Sequence, residues 1–371
     1  MIDYIENRWD SKTKIAYFIA QGAGDCRLGQ YPVFMRDLIK RKKIRNVAPL
    51  PLSNEDGYAG LGASFAKLQI KGLMAADVLD DVRSAIMANA VDPKEGMKIF
   101  DEEYEKLLVV FEKEPQNLFK ALKRFSKVIK LKVPARIPIE ESKYIAMGGE
   151  IFVRRDGFSH KWLNKYFAKQ GFILKDAYIT EWLFYIDYML KLKLMEPESS
   201  FRNKYERFIR HSFMRYYEYA IKKILEGTGY YKYQKIDIKS LLDHSKHLVP
   251  LQYRGEPGLT LGVGLHETIE HYCGVINVGP FGCMPTRFSE ALASVEMKVE
   301  NKIYAKRLND PDYKLPEIFN GNMNIPFLTI ESDGNVYPQV IEARLETFTL
   351  QAERVSNLMK KAKMNGWAKK H

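Results

Sequence analysis

Two cysteines stand where a chain can best present a thiol for chemistry. Cys283 lies in Val275-Ile-Asn-Val-Gly-Pro-Phe-Gly-Cys-Met-Pro-Thr286, an apolar, β-branched run that stops in Gly and Pro. Pro280 and Gly282 end the strand, and Pro285 suits the first turn of a helix running from Arg287 to Ala305. Cys283 is therefore expected just before a helix N-terminus, where the positive end of the dipole stabilises a thiolate. Cys26 has a similar setting: the apolar strand Ile15 to Ala20 gives way to Gln21-Gly-Ala-Gly-Asp-Cys-Arg-Leu-Gly-Gln-Tyr-Pro32, and a helix follows from Val33 to Lys43. Open α/β sheets bind ligands at the carboxyl ends of their strands, so the two loops are expected to converge.

Three chemistries compete for these thiols. A free cysteine can simply pack as a small hydrophobe. A nucleophile wants a positioned histidine, and none adjoins either loop. An iron–sulfur cluster needs several converging thiolates, and Gly and Pro flanks suit the close approach of a bulky inorganic group, although no Cys-x-x-Cys signature is present. The third cysteine, Cys273, falls at a helix-to-strand junction and reads as packed. Elsewhere, Tyr144-Ile-Ala-Met-Gly-Gly-Glu150-Ile-Phe-Val-Arg154 reads as a strand whose exit carries two glycines, for close backbone approach, and a carboxylate. Glu331 and Asp333 mark another strand exit, as an acid/base pair or a helix cap, the cap being preferred. His266-Glu-Thr-Ile-Glu-His271 resembles a zinc-protease helix, but histidines five apart are rotated by roughly 140° on a helix, so both are read as surface residues.

The bulk numbers frame these sites. With 371 residues, 46% hydrophobic and 28% charged, the chain belongs with ordinary globular proteins of about two domains. A net charge of +12 favours an anionic ligand or an acidic partner. No apolar run is long enough to span a bilayer, and Met1 to Arg8 lacks the basic and apolar regions of a secretory signal. Three cysteines argue against a disulfide framework, which makes the cytoplasm the expected compartment.

The elements that must position the cysteines read as α/β with parallel sheets. Residues 1–72 form a partial α/β domain with the Cys26 loop and a second strand at Val47 to Leu52. The glycine-rich stretch Gly57 to Gly62 follows no strand of the dinucleotide-binding kind, so no Rossmann fingerprint is assigned. Residues 73–138 read as a charged helical insertion and linker, with Leu107, Phe111, Leu118, Leu122 and Phe125 at helical spacing. Residues 139–371 form a second α/β domain with a helix from Phe158 to Gln170, a strand from Phe172 to Ile179, a helix from Glu181 to Leu194, the Cys283 strand, a strand at Pro326 to Ile330 and a helix from Gln339 to Lys363. The basic, aromatic helix Phe201 to Glu226 reads as solvated charge over an aromatic core rather than a nucleic-acid surface, since no binding motif accompanies it. No P-loop is present.

Five of these segments, Gly24-Asp-Cys26-Arg-Leu-Gly-Gln-Tyr31, Gly149-Glu-Ile-Phe-Val-Arg154, Glu181-Trp-Leu-x-Tyr185, Asn277-Val-Gly-Pro-Phe-Gly-Cys283-Met-Pro285 and Glu342-Ala-Arg-Leu-Glu-Thr-Phe348, together resemble the 2-hydroxyacyl-CoA dehydratase and benzoyl-CoA reductase superfamily, in its activase-related branch. The resemblance runs collinearly over nearly the whole chain. It implies two flavodoxin-like domains with an oxygen-sensitive iron–sulfur cluster, of four-iron or double-cubane type, in the cleft between them. It also implies low-potential electrons supplied by an ATP-hydrolysing activase of the actin and sugar-kinase fold. Cys26 and Cys283 inherit the ligand role, while Glu150 and Arg154 shape the cleft. Members of that superfamily carry a further Cys-Pro motif upstream of the strand matching Ile15 to Ala20. The chain starts after that point, so either Cys273 substitutes or the third ligand comes from another subunit or an N-terminal region. The resemblance thus implies an iron–sulfur electron-transfer or reductase component, or a scaffold subunit that has lost its cluster.

Overall fold

The computed structural model describes residues 2–10, 12–20, 27–52, 62–195, 201–319, 323–332 and 339–367. They fall into two compact units, Met1–Gly72 and Leu73–His371. In the first, helix α1 (Ile2–Asn7) precedes strand β1 (Ile15–Ala20), helix α2 (Tyr31–Arg41) and strand β2 (Val47–Leu52). β1 and β2 pair in parallel, with Ile15 opposite Val47. Pro49 and Pro51 fit β2 because prolines two apart leave the alternate N–H groups free to pair.

Helix α3 (Gly62–Asn89) leads into the second unit, followed by α4 (Pro93–Lys113) and α5 (Leu118–Lys132). Met74, Val78, Val82 and Ile86, four apart, form the buried stripe of α3, and Leu118, Leu122, Phe125 and Ile129 that of α5. Asp92 caps α4 by accepting from the N–H groups of Lys94 and Glu95, with Pro93 at the first position. The chain then builds strand β3 (Lys143–Gly149), helices α6 (Ile151–Arg155) and α7 (Leu163–Lys169), strand β4 (Phe172–Asp176) and helices α8 (Ile179–Lys191), α9 (Phe201–Glu226), α10 (Ile238–Ser245) and α11 (Pro257–Gly262). After a π-helical turn, Val263–Glu267, come strand β5 (Val275–Pro280), helices α12 (Met284–Glu296) and α13 (Val299–Arg307), strand β6 (Phe327–Ser332) and helix α14 (Gln339–Met364).

The four strands lie in the order β4-β3-β5-β6, all parallel. The fold is thus α/β with two parallel sheets, and the second has the flavodoxin-like order, in which the chain switches direction between β3 and β5. Alternation gives this sheet two different faces. One carries Ile145, Met147, Phe172, Leu174, Ile276, Val278, Leu328 and Ile330 into the main core. There α14 lays down Leu345, Phe348, Ala352, Val355 and Met359 at helical spacing. The other face carries a smaller apolar group that includes Ala146, Tyr272 and Val275. Its small residues on β3, Ala146 and Gly148, leave room there.

Several boundaries differ from the sequence reading, each for a tertiary reason. The helix expected from Phe158 begins only at Leu163, because Lys161 and Trp162 adopt left-handed backbone with φ of 51° and 52°. Asp156 closes that turn through the N–H and hydroxyl of Ser159. The strand expected to reach Ile179 stops at Asp176, and Ile179 starts α8. The helix expected from Arg287 to Ala305 is two helices, since buried Met297 leaves helical backbone at ψ 68° and Lys298 bridges Asn324. In α9, expected to carry solvated charge, Lys222 is buried. Glu218 accepts from Lys222 and from Ile236 N–H, and Lys222 also donates to Gln234 O. Arg210 pairs with Asp187 and Arg215 with Glu218.

Candidate functional site

Cys283 sits at the carboxyl end of β5, at the capping position of α12, with Pro285 in the first turn as the sequence implied. It is half-buried and free, while neighbouring Phe281 is exposed. Gly282 turns the chain with φ of 69°, and its N–H donates to Glu331 Oε1 at 3.2 Å. Arg287 pairs with the same carboxylate, which ties α12 to β6. Glu331 thus serves as a turn anchor; Asp333 lies outside the described residues.

Cys26 and its turn also lie outside the described residues. Cys273 precedes β5, so β5 separates it from Cys283 by the strand's whole length, roughly 20 Å for six residues. It is 2% exposed in the main core, and burial pushes its thiol up to about 11, against a hydrogen bond from Ser356. The two cysteines are not brought together. Cys273 packs in the core at the start of β5, at the opposite end of the strand from Cys283. Among the described residues no group of three or more His, Cys, Asp or Glu side chains is arranged to hold a metal ion.

Glu150 caps α6: its Oε2 accepts from Val153 N–H at 2.8 Å, and its own N–H donates to Val278 O at 2.8 Å. Arg154, one turn on, is buried at 5% exposure. It donates to Gly149 O at 2.8 Å and Tyr178 O at 3.5 Å, while its Nε has no partner. Arg154 lies on the wall of a 110 Å³ cavity on the second face of the sheet. Ala146, Gly148 and Val275 line that cavity from the sheet, Tyr178, Glu181 and Trp182 from the start of α8, and Glu256 and Thr260 from α11. Lys235 and Asp237 are exposed and lie on the lining, so the cavity opens beside the segment that α9 tethers.

The cavity wall is rich in carboxyls that burial perturbs. Burial pushes Glu181 up to about 7 against the pull of Arg154. Glu256, Glu267 and Asp176 are raised for the same first reason. Lys175 is engaged by Asp81 at 3.0 Å and by Tyr178. The start of α8 has no side-chain cap of its own; Asp77 of α3 supplies one, accepting from Ile179 N–H, Thr180 N–H and the Thr180 hydroxyl, and pairing with Arg155.

Behind the cavity, the π turn widens the helix and frees carbonyls. Fully buried Lys302 donates to Leu265 O at 3.0 Å and His266 O at 2.8 Å, and burial lowers its ammonium to about 7. His266 stacks on His244 at 4.2 Å and burial pushes it down to about 2. The reading of His266 and His271 as surface residues is therefore corrected: both are partly buried, and Glu267 lies within 3.2 Å of His266 and 3.6 Å of His271. Glu181, Glu256, Asp77 and Lys302 carried no site role in the sequence reading. Asp77 and Asp81, four apart inside the apolar run Ala75 to Val82, were the visible signal of a buried polar function.

Fold and site define an α/β protein of flavodoxin-like order with a half-buried thiol at one strand end and a charged cavity on one sheet face. Comparison with family models, with curated proteins and with solved structures finds no match to this chain. Among the described residues no helix is long and apolar enough to cross a membrane.

Proposed function

We propose that this chain is an iron–sulfur electron-transfer or reductase subunit related to the 2-hydroxyacyl-CoA dehydratases, served by an ATP-hydrolysing activase, with Cys283 as its ligand. The observation that carries the reading is the position of Cys283: a half-buried, free thiol at the carboxyl end of an inner parallel strand, on a helix N-terminus. The five collinear segments of the resemblance support it. One thiol does not fit a cluster by itself, and Cys273 lies in the core at the other end of β5. Further thiolates then come from Cys26 or a partner subunit. Such a cluster, when bound, supplies one-electron chemistry at low potential.

Iron and acid-labile sulfide measured on protein purified without oxygen, alone and with co-purifying partners, tests the proposal. Cys273→Ala should keep the wild-type iron content and Cys283→Ala should lose it; full iron retention in Cys283→Ala refutes the assignment. A second reading, a scaffold subunit that has lost its cluster, is favoured by the core position of Cys273 and requires no iron in either preparation.

A further inference from the structure

The cavity beside Arg154 presents opposite charges across a gap. Arg154 is 95% buried, yet among the described residues no carboxylate lies within 4.0 Å of its nitrogens. Half-buried Glu181 faces the same space, and among the described residues its carboxyl has no hydrogen bond or ion pair. Each group influences the other electrostatically, but they do not touch. A buried charge without a partner is costly, and the cost is recovered when a partner of opposite sign arrives.

We propose that this cavity binds a small zwitterionic amino acid, with its carboxylate on Arg154 and its ammonium on Glu181. The guanidinium fork is the side chain best matched to a carboxylate. A molecule with only one of the two charges leaves either Arg154 or Glu181 unmatched in the wall, which is how buried polar sites reject incomplete ligands. Size sets the upper limit. A cavity of 110 Å³ is somewhat smaller than the roughly 150 Å³ that accepts a benzene-sized molecule. Glycine, alanine and serine fit within that volume. Trp182 and Val275 supply apolar wall for a short side chain. Glu181 raised to about 7 is the state expected of a carboxyl awaiting a cation. The inference is independent of any iron bound at Cys283.

Calorimetric titration of the full chain with glycine, alanine and serine, against propionate and ethylamine as the separated halves, tests it. At least one amino acid should bind, and each half-molecule should bind at least tenfold more weakly. Glu181→Gln should weaken amino-acid binding by tenfold or more and leave propionate within threefold. Absence of binding by all three amino acids overturns the proposal. So does propionate binding as tightly as alanine, or a Glu181→Gln chain that binds alanine like the wild type. The comparison of whole and half molecules needs no variant, so it stands even if Glu181→Gln does not fold.

Discussion

Replacing Asp77 with alanine should destabilise the second unit by about 3–5 kcal/mol, the range for removing one member of a buried ion pair. The carboxylate is 2% exposed and takes four contacts: Ile179 N–H at 3.0 Å, Thr180 N–H at 2.9 Å, the Thr180 hydroxyl at 2.6 Å and Arg155 at 2.7 Å. Loss of a helix cap alone costs about 1–2 kcal/mol. Arg155 keeps Asp80 at 2.6 Å, which limits the remaining penalty. Burial, the larger effect, pushes the Asp77 carboxyl above its ordinary range even with Arg155 beside it. Asp77→Asn keeps one acceptor oxygen while its amide nitrogen faces two of the four donors, so it should cost about 1–3 kcal/mol, the penalty for buried donors left unsatisfied. Thermal unfolding followed by circular dichroism separates the two, at roughly 2–4 °C per kcal/mol for a unit of this size. An alanine variant within 1 °C of wild type, or an asparagine variant less stable than the alanine one, refutes the assignment of Asp77 as the cap of α8.

Other outcomes follow from the same geometry. Site-resolved iodoacetamide labelling of the native protein should modify Cys283, while Cys273, buried and pushed up to about 11, should react only after denaturation; equal labelling rates contradict its core position. Amino-acid affinity should rise about tenfold from pH 6 to pH 8 as Glu181 ionises through about 7, among Arg154, Asp77, Lys175, Lys222, Glu256 and Glu267, and a flat titration removes Glu181 from the site. Lys302 loses its proton at about 7 when folded but near 10.5 when unfolded. The unfolded chain thus holds the extra proton between those values, and stability should rise with pH across that window. Lys302→Met should reduce that rise by up to about 4 kcal/mol, measured as the difference between wild-type and variant melts at pH 7 and pH 10.

What the chain order made legible were the features governed by local rules. An apolar run closed by Pro280 and Gly282 could only be a strand ending at a turn, and Pro285 marked the helix behind Cys283. Features set by distant contacts were hidden. Asp77 caps a helix that starts 102 positions later, at Ile179. The cavity exists because Ala146 and Gly148 are small where α8 and α11 come together, and no window of sequence contains all three segments. His266 and His271 were judged on one continuous helix, whereas the chain leaves helical backbone at Thr268, with ψ of 146°. Trp162 is left-handed, an outcome helical periodicity does not report.

Gly149 is where a local reading and a tertiary constraint meet, and its substitution distinguishes them from simple loss of cavity space. The paired glycines implied close backbone approach. At Gly149, φ is 105°, and a Cβ would stand 1.9 Å from Val278 O, a backbone atom with nowhere to go. Gly149→Ala must part β3 from β5 at the point where Glu150 N–H donates to Val278 O. Left-handed strain of about 1–2 kcal/mol adds to that lost contact. Gly148→Ala is the internal control: its Cβ would meet Thr260 Oγ1 at 3.4 Å, ordinary contact, on the cavity side of the strand. It should fold normally and weaken ligand binding, whereas Gly149→Ala should lower the melting temperature by several degrees more. If the two variants melt alike, the β3–β5 approach does not constrain residue 149, and the switch point is looser than its geometry requires.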